Sequence, residues 1–329
     1  MPKSSLGVLP VLLLVGAVTR PIDLPEHRQI VEYTYLQQYD SAGQLIHEIA
    51  SLDRKDPAAA FWLLTLLQLL IYDSGNSWLS DSFYSVCERA TELASQRLRQ
   101  NAHDASARFY RGMTLLTRAR YQAWLGQPSM ALRTMLGVVP ELRKALSDDS
   151  TLVDAWLGLG MVEYFRALSS RYTLGLPVLG SRQAAREMVK KVIEGRGVFR
   201  TAARFSLAFM LKEDGDHAAA ESLCRSLLRS YPGNRSALRT MRDNSFQAGN
   251  YVQAVSIGRA VDSLIRRSFP GNLYGLSENW LVTAKAWQGL AQLDSARVYA
   301  DSVLAYESRA EEVPWLRTYL REARAIRGR

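Results

Sequence analysis

The sequence predicts an all-α, right-handed solenoid of antiparallel helix pairs, and three observations carry that expectation. Residues recur in register: Ala59, Ala107, Ala155 and Ala203 stand 48 residues apart, as do Phe61, Phe109, Leu157 and Phe205. Beyond residue 200 the interval shortens, and Gly215, Ala220 and Leu227 return 34 residues later as Gly249, Ala254 and Val261. Between these marks the apolar residues follow helical spacing, and each helix pair so encoded has an apolar face that only a neighbouring pair can cover.

Taken in order, residues 1–17 read as an export signal. Lys3 supplies a positive start, Val8 to Val18 a short apolar stretch, and Val15-Gly16-Ala17 a small-residue cleavage site. The stretch is shorter than the roughly 20 residues that span a bilayer. Cleavage after Ala17 is therefore expected, with an uncleaved amino-terminal anchor as the alternative and a periplasmic or envelope-associated placement in either case. No Cys follows the stretch, which excludes a lipoprotein anchor of that kind.

A first helix pair is predicted within 18–56, ending at Asp56-Pro57. Three extended units follow at 57–104, 105–152 and 153–200, then shorter units at 201–234, 235–276 and 277–310. Within 311–329 a final helix, Val313 to Ile326, caps the array with an Arg-rich face toward solvent. The stretch "SFPGNLYGLSE" reads as an insertion rich in turn formers.

Two stretches admit more than one reading. In "DAWLGLGMVEYFRA", Gly158 and Gly160 could cradle a phosphate or let helices approach closely. Gly160 shares its column with Leu64, Gly112 and Ala208, the mark of a helix contact stripe, whereas a phosphate loop would need a preceding strand and a third glycine. The stretch "AAAFWLLTLLQLLIY", 58–72, is apolar on nearly every face, which a buried helix or membrane contact would explain; its register with the other first helices favours burial. A further apolar loop, "SSRYTLGLPVLGSR" with Gly175, Pro177 and Gly180, is either a lid over a binding surface or a packed connection.

Composition narrows the function. With 41 basic and 32 acidic residues the chain carries a formal charge of +9, but no Lys/Arg run exceeds two residues, so nucleic acid is not an expected partner. His27, His47, His103 and His217 fall in different units without metal-ligand spacing, and no G-x-S-x-G elbow occurs. The acidic pairs Asp148-Asp149 and Glu311-Glu312 read as linker or helix-start residues. Cys87 and Cys224 lie within helical apolar patterns and read as core residues with no disulfide. No catalytic, metal or cofactor site is expected.

In "TAARFSLAFMLKEDGDHAAAESLCRSLLRSYPGN" the residues Leu207, Ala208, Leu211, Gly215, Ala220, Cys224, Leu227 and Pro232 match a known pattern, as do Trp280, Ala284, Trp287, Ala296, Ala300 and Val303 in the unit from 277. Over 201–310 the chain resembles the tetratricopeptide repeat family, and more loosely over 57–200. Arg204, Arg242 and Ser245 depart from the pattern. The resemblance implies that positions 2, 5, 9 and 12 of each first helix line a concave face. On this chain that places Phe109, Met113, Leu157, Met161, Tyr164, Phe205 and Phe209 in an apolar groove, with Lys212, Arg239, Asp243 and Phe246 toward a charged carboxyl-terminal end. The columns would instead be core if other elements fill the groove. The expected function is a non-enzymatic exported scaffold that binds a protein partner of an envelope assembly. The alternative is a periplasmic carrier for an apolar small molecule or lipid, similar to the helical-repeat partners of some TRAP-type transporters. Membrane association is expected to be peripheral at most.

Overall fold

The computed structural model describes residues 22–75, 77–169, 180–311 and 315–328. The export signal with its cleavage site, and Gly175 and Pro177 of the apolar loop, lie outside the described residues. Among the described residues all regular structure is helical.

Successive helices pair: α1 (Pro25–Tyr35) with α2 (Tyr39–Leu52), α3 (Pro57–Ser74) with α4 (Ser80–Gln100), and α5 (Ala105–Trp124) with α6 (Pro128–Leu136) and α7 (Val138–Asp148). Then come α8 (Ala155–Ser169) with α9 (Arg182–Glu194), α10 (Arg200–Glu213) with α11 (His217–Ser230), α12 (Arg235–Gln247) with α13 (Tyr251–Ser268), and α14 (Leu273–Gly289) with α15 (Leu293–Leu304). Helix α16 (Leu316–Arg327) ends the array, burying Leu316, Leu320, Ala323 and Ile326 while Arg317, Arg324 and Arg327 face solvent.

Local chemistry sets the helix starts. The side chains of Asp56, Asp104, Asp216, Asn234 and Asn272 each accept a backbone N–H from the first turn of the helix that follows. Pro57 and Pro128 stand at first helical positions, where no N–H is needed. Gly215 and Gly249 turn the chain between paired helices at φ +82° and +77°, a left-handed conformation that costs other residues about 1–2 kcal/mol. Asn272 changes one boundary: it caps α14 so that Leu273 to Ser277, within the expected insertion, form the first turns of that helix. Gly275 is tolerated there because a Cβ at that position would stand 2.7 Å from Arg239 Nη2.

The small-residue columns are helix contacts. Ala59, Ala107, Ala155 and Ala203 are buried, and so are Leu64 and Ala208. A Cβ on Gly160 would lie 2.9 Å from the Ala185 carbonyl and 3.0 Å from Val189, both on α9; one on Gly158 would collide with Leu142 of α7 and reach 3.0 Å from Met113 Sδ of α5. The glycine pair thus lets α8 approach neighbours on two sides, and no strand or phosphate loop is present there. Helix α3, apolar all round, is absorbed by the same means: Phe61, Trp62, Leu64, Leu66 and Ile71 are buried, and Gln68 Nε2 donates to the Thr117 carbonyl of α5 at 2.9 Å. It is also the one described helix long and apolar enough to cross a membrane.

The array curls far enough for its parts to meet across the inner side. Asp73, at the end of α3, pairs with Arg235 of α12 at 2.6 Å, both side chains being about 95% buried. Asn272 Nδ2 donates to the Asp73 carbonyl at 2.6 Å, and Trp124 of α5 meets Tyr274 of α14 edge to face at 5.1 Å. Two main cores result, one from Ile22 to Met210 and one from Ala208 to Ile326.

Candidate functional site

The inner face is partly filled by other elements, the alternative to an open groove that the columns allowed. Helix α1 lies across it: the His27 ring stands 5.6 Å from Trp62 of α3 and 6.5 Å from Tyr110 of α5, while Tyr35 stacks on Phe205 of α10 at 4.6 Å. Polar ties fix this placement. Asn234 Nδ2 donates to the Tyr35 carbonyl at 2.8 Å, and the Tyr231 hydroxyl donates to Glu32 at 3.0 Å.

A second intrusion comes from the turn before α10. The buried carboxylate of Asp154 accepts the backbone N–H groups of Val198 and Phe199 at 2.9 and 3.0 Å. This holds Phe199 inward, stacked on Trp62 at 5.1 Å and within 6 Å of Phe61 and Phe109. Burial outweighs those two hydrogen bonds and pushes the Asp154 carboxyl up to about 6.

Between these elements remains a cavity of about 190 Å³. Its apolar walls come from Phe61, Trp62, Met113, Leu116, Leu157, Met161, Phe199 and Phe205, with Val31 and Tyr35 from α1. Thr34, Thr65, Gln68, Thr117, Arg120, Ser206 and Ser236 supply polar groups.

The predicted groove residues therefore divide. Met113, Leu157, Met161 and Phe205 line the cavity. Phe109 and Tyr164 are fully buried and do not: Phe109 packs against Tyr110 and Phe199, and the Tyr164 hydroxyl sits 2.9 Å from Asp214 and 3.1 Å from the Met210 carbonyl. Phe209 stands edge to face with Tyr164 at 6.1 Å, and the ammonium of buried Lys212 lies 5.2 Å over the Phe209 ring and pairs with Glu213. Phe246 packs on Tyr251, away from the cavity. Arg239 lies beside Gly275. The physical reason for the division is that neighbouring elements cover part of the columns, Phe199 covering Phe109 and the end of α10 covering Tyr164.

Toward the carboxyl-terminal end the inner face is ionic and filled. Arg242, fully buried, donates to Asp243 at 2.7 Å, to Glu278 at 2.6 Å and to Asn279 at 2.7 Å. Burial opposes ionisation of both carboxylates; Arg242 and Arg239 overcome it at Glu278, holding that carboxyl below its usual range, while Asp243 stays above its own. The other two pattern departures are also satisfied, Arg204 by Ser226 at 2.7 Å and Ser245 by the Met241 carbonyl at 2.9 Å.

Cys87 and Cys224 are buried free thiols, each pushed up to about 11 by burial. Among the described residues no group of three His, Cys, Asp or Glu is placed to hold a metal. Sequence reasoning missed Tyr35, Trp62, Phe199 and Arg120 as cavity residues. Arg120 had a periodic signal, since it follows Leu116 by four residues and so shares its face of α5.

No protein-family model matches the sequence, nor does any curated protein. Solved structures do match. PilW, a widely conserved type IV pilus biogenesis factor, is similar at 15% identity and TM-score 0.51 over 78% of this chain and 98% of that one. A chain of the APC/C hetero-tetramer Cut9-Hcn1 is similar at 12% identity and TM-score 0.58 over 91% of this chain and 52% of that one, so this chain spans about half of it. A tetratricopeptide repeat protein from Parabacteroides merdae aligns at 13% identity and TM-score 0.46 over 91% and 99% of the two chains. The fold is the tetratricopeptide-type helical solenoid.

Proposed function

We propose that this chain is an exported, non-enzymatic scaffold of the cell envelope that holds a protein partner at the inner face of its solenoid. The observation that carries the proposal is the cavity left open among otherwise close-packed aromatic columns, with Phe205 and Ser236 at its border. Protein interiors leave few voids of this size unfilled, and an apolar one next to polar groups suits an inserted apolar side chain. The fold is compatible with this role, and the neighbour PilW is itself a pilus biogenesis factor. Export is supported by the basic start, apolar stretch and small-residue site of residues 1–17.

A photo-crosslinking residue in place of Ser236, which is exposed, tests the scaffold reading in the native cell. One defined chain should be captured there, and Phe205→Asp should abolish the capture. Equal capture from a crosslinker at Val298, on α15 and 65% exposed, would overturn it.

A second reading, a carrier for an apolar small molecule, is favoured by the size of the cavity. At about 190 Å³ it suits one ring or a short chain better than a helix. Native mass spectrometry distinguishes the two: a bound small molecule supports the carrier, a bound chain the scaffold.

A further inference from the structure

Arg120 is the one charged side chain among the described residues that line the cavity, and it makes no hydrogen bond or ion pair with any of them. It shares this with Arg118 of the same helix and with Arg239, whose Nε atoms find no hydrogen-bond partner among the described residues; other arginines nearby are paired. Arg108, Arg111, Arg235 and Arg242 each meet a carboxylate. The guanidinium is exposed on α5, so it sits at the border between solvent and an apolar interior. Its field reaches inward: burial pushes the phenols of Tyr35 and Tyr72 up, and the charge of Arg120 opposes that shift in both.

Behind the charge the walls are apolar, with Trp62, Leu116, Met161, Phe199 and Phe205 among them, and the hydroxyls of Thr117 and Ser206 add donors nearby. The volume, about 190 Å³, somewhat exceeds the roughly 150 Å³ cavity that takes up benzene. It thus accommodates a substituted ring or a short aliphatic chain. An apolar body alone would leave the guanidinium to water, while a planar carboxylate matches its two-pronged donor geometry. A single cation gives little support to a phosphate dianion.

We propose that the cavity binds a small amphiphilic monoanion, an aromatic or short-chain carboxylate whose apolar body fills the pocket and whose carboxylate pairs with Arg120. This inference rests on the carrier reading of the same cavity.

Isothermal titration of the full-length chain with hydrocinnamate and with hydrocinnamyl alcohol tests it. The acid should bind about tenfold more tightly than the alcohol, the advantage of one charge-assisted pair. Arg120→Gln should weaken the acid by about that factor and leave the alcohol unchanged, while Arg120→Lys should keep part of the preference. Because Arg120 is exposed, both variants should melt with the parent. Equal binding of acid and alcohol to the parent, or an unchanged preference in Arg120→Gln, would overturn the carboxylate assignment and leave the carrier reading standing. Binding of neither probe would overturn both. Binding of the peptide Ala-Ala-Phe without hydrocinnamate would overturn the small-molecule assignment in favour of a chain terminus.

Discussion

Helices α3, α5 and α8 turn Phe61, Phe109 and Leu157 toward the inner side of the solenoid, whereas α12 brings Arg239, Arg242 and Asp243 to the same side. Both regions are built from antiparallel helix pairs with buried alanines at the contacts, yet their inner faces are filled by opposite chemistry. The apolar region closes by shape. Its side chains make no directional demands, and space that α1 and Phe199 do not reach persists as a cavity. The ionic region closes by pairing, because an unmatched buried charge is costly, and so Arg242 finds three partners. A repeat fold thus constrains the contact stripe strictly and the inner column loosely.

The largest effect that would sharpen this comparison is expected at the ionic centre. Arg242→Ala leaves Asp243 and Glu278 without their shared cation and should cost about 3–5 kcal/mol in urea denaturation. A loss below about 1 kcal/mol would show that the network does not hold that half together.

In the apolar half the corresponding probe is Asp154. Its carboxyl titrates at about 6 in the folded chain against an ordinary 3.8, so between those values the folded state keeps a proton that the unfolded chain has released. The stabilisation is therefore fully present below pH 3.8, falls as pH rises toward 6, and is absent above it; the span is worth about 3 kcal/mol. Stability curves of the parent and Asp154→Asn between these limits should differ in slope in that sense. Parallel curves would remove the claim.

Gly160→Leu is the next smaller test. The added side chain meets the Ala185 backbone and Val189, and overpacking should cost about 1–3 kcal/mol. Nucleotides should not change the melting temperature, and a rise with ATP would argue for a ligand role of the glycine pair. Smallest of all is Arg225→Ala on α11. It removes an ion pair with Glu221 in which Arg225 is 56% exposed, and the change should stay within about 0.5 kcal/mol, diminishing further at high salt.

The helix pairs were legible because their signal is periodic and local. Ala155 and Gly160 sit at fixed offsets within a unit, and the surrounding helix contacts follow from those offsets. The cavity was legible only in part. Met113, Leu157, Met161 and Phe205 occupy repeating columns, but the residues that decide whether a column faces ligand or core come from outside the period. Tyr35 meets Phe205 from 170 positions away in the chain, and Phe199 is delivered by a turn that Asp154 pins through backbone hydrogen bonds. No spacing rule announces such contacts. The boundary at Asn272 was missed for a different reason: the glycines around it read as turn formers, while the Asn cap and the closeness of Arg239 make a helix start there.

The crossing of α1 also bears on the order in which the molecule can be made. A simple stack of repeats can settle unit by unit as the chain grows, each new pair docking on the last. Here the first helix emerges early, but its partners Tyr231 and Asn234 are synthesised 199 residues after Glu32 and Tyr35. For most of synthesis Glu32 and the Tyr35 carbonyl lack these partners, a long-range closure of the kind that raises contact order. Completion of the inner face is thus a late event in the life of each chain, set by the arrival of the residues near 234 and not by the folding of its own helices.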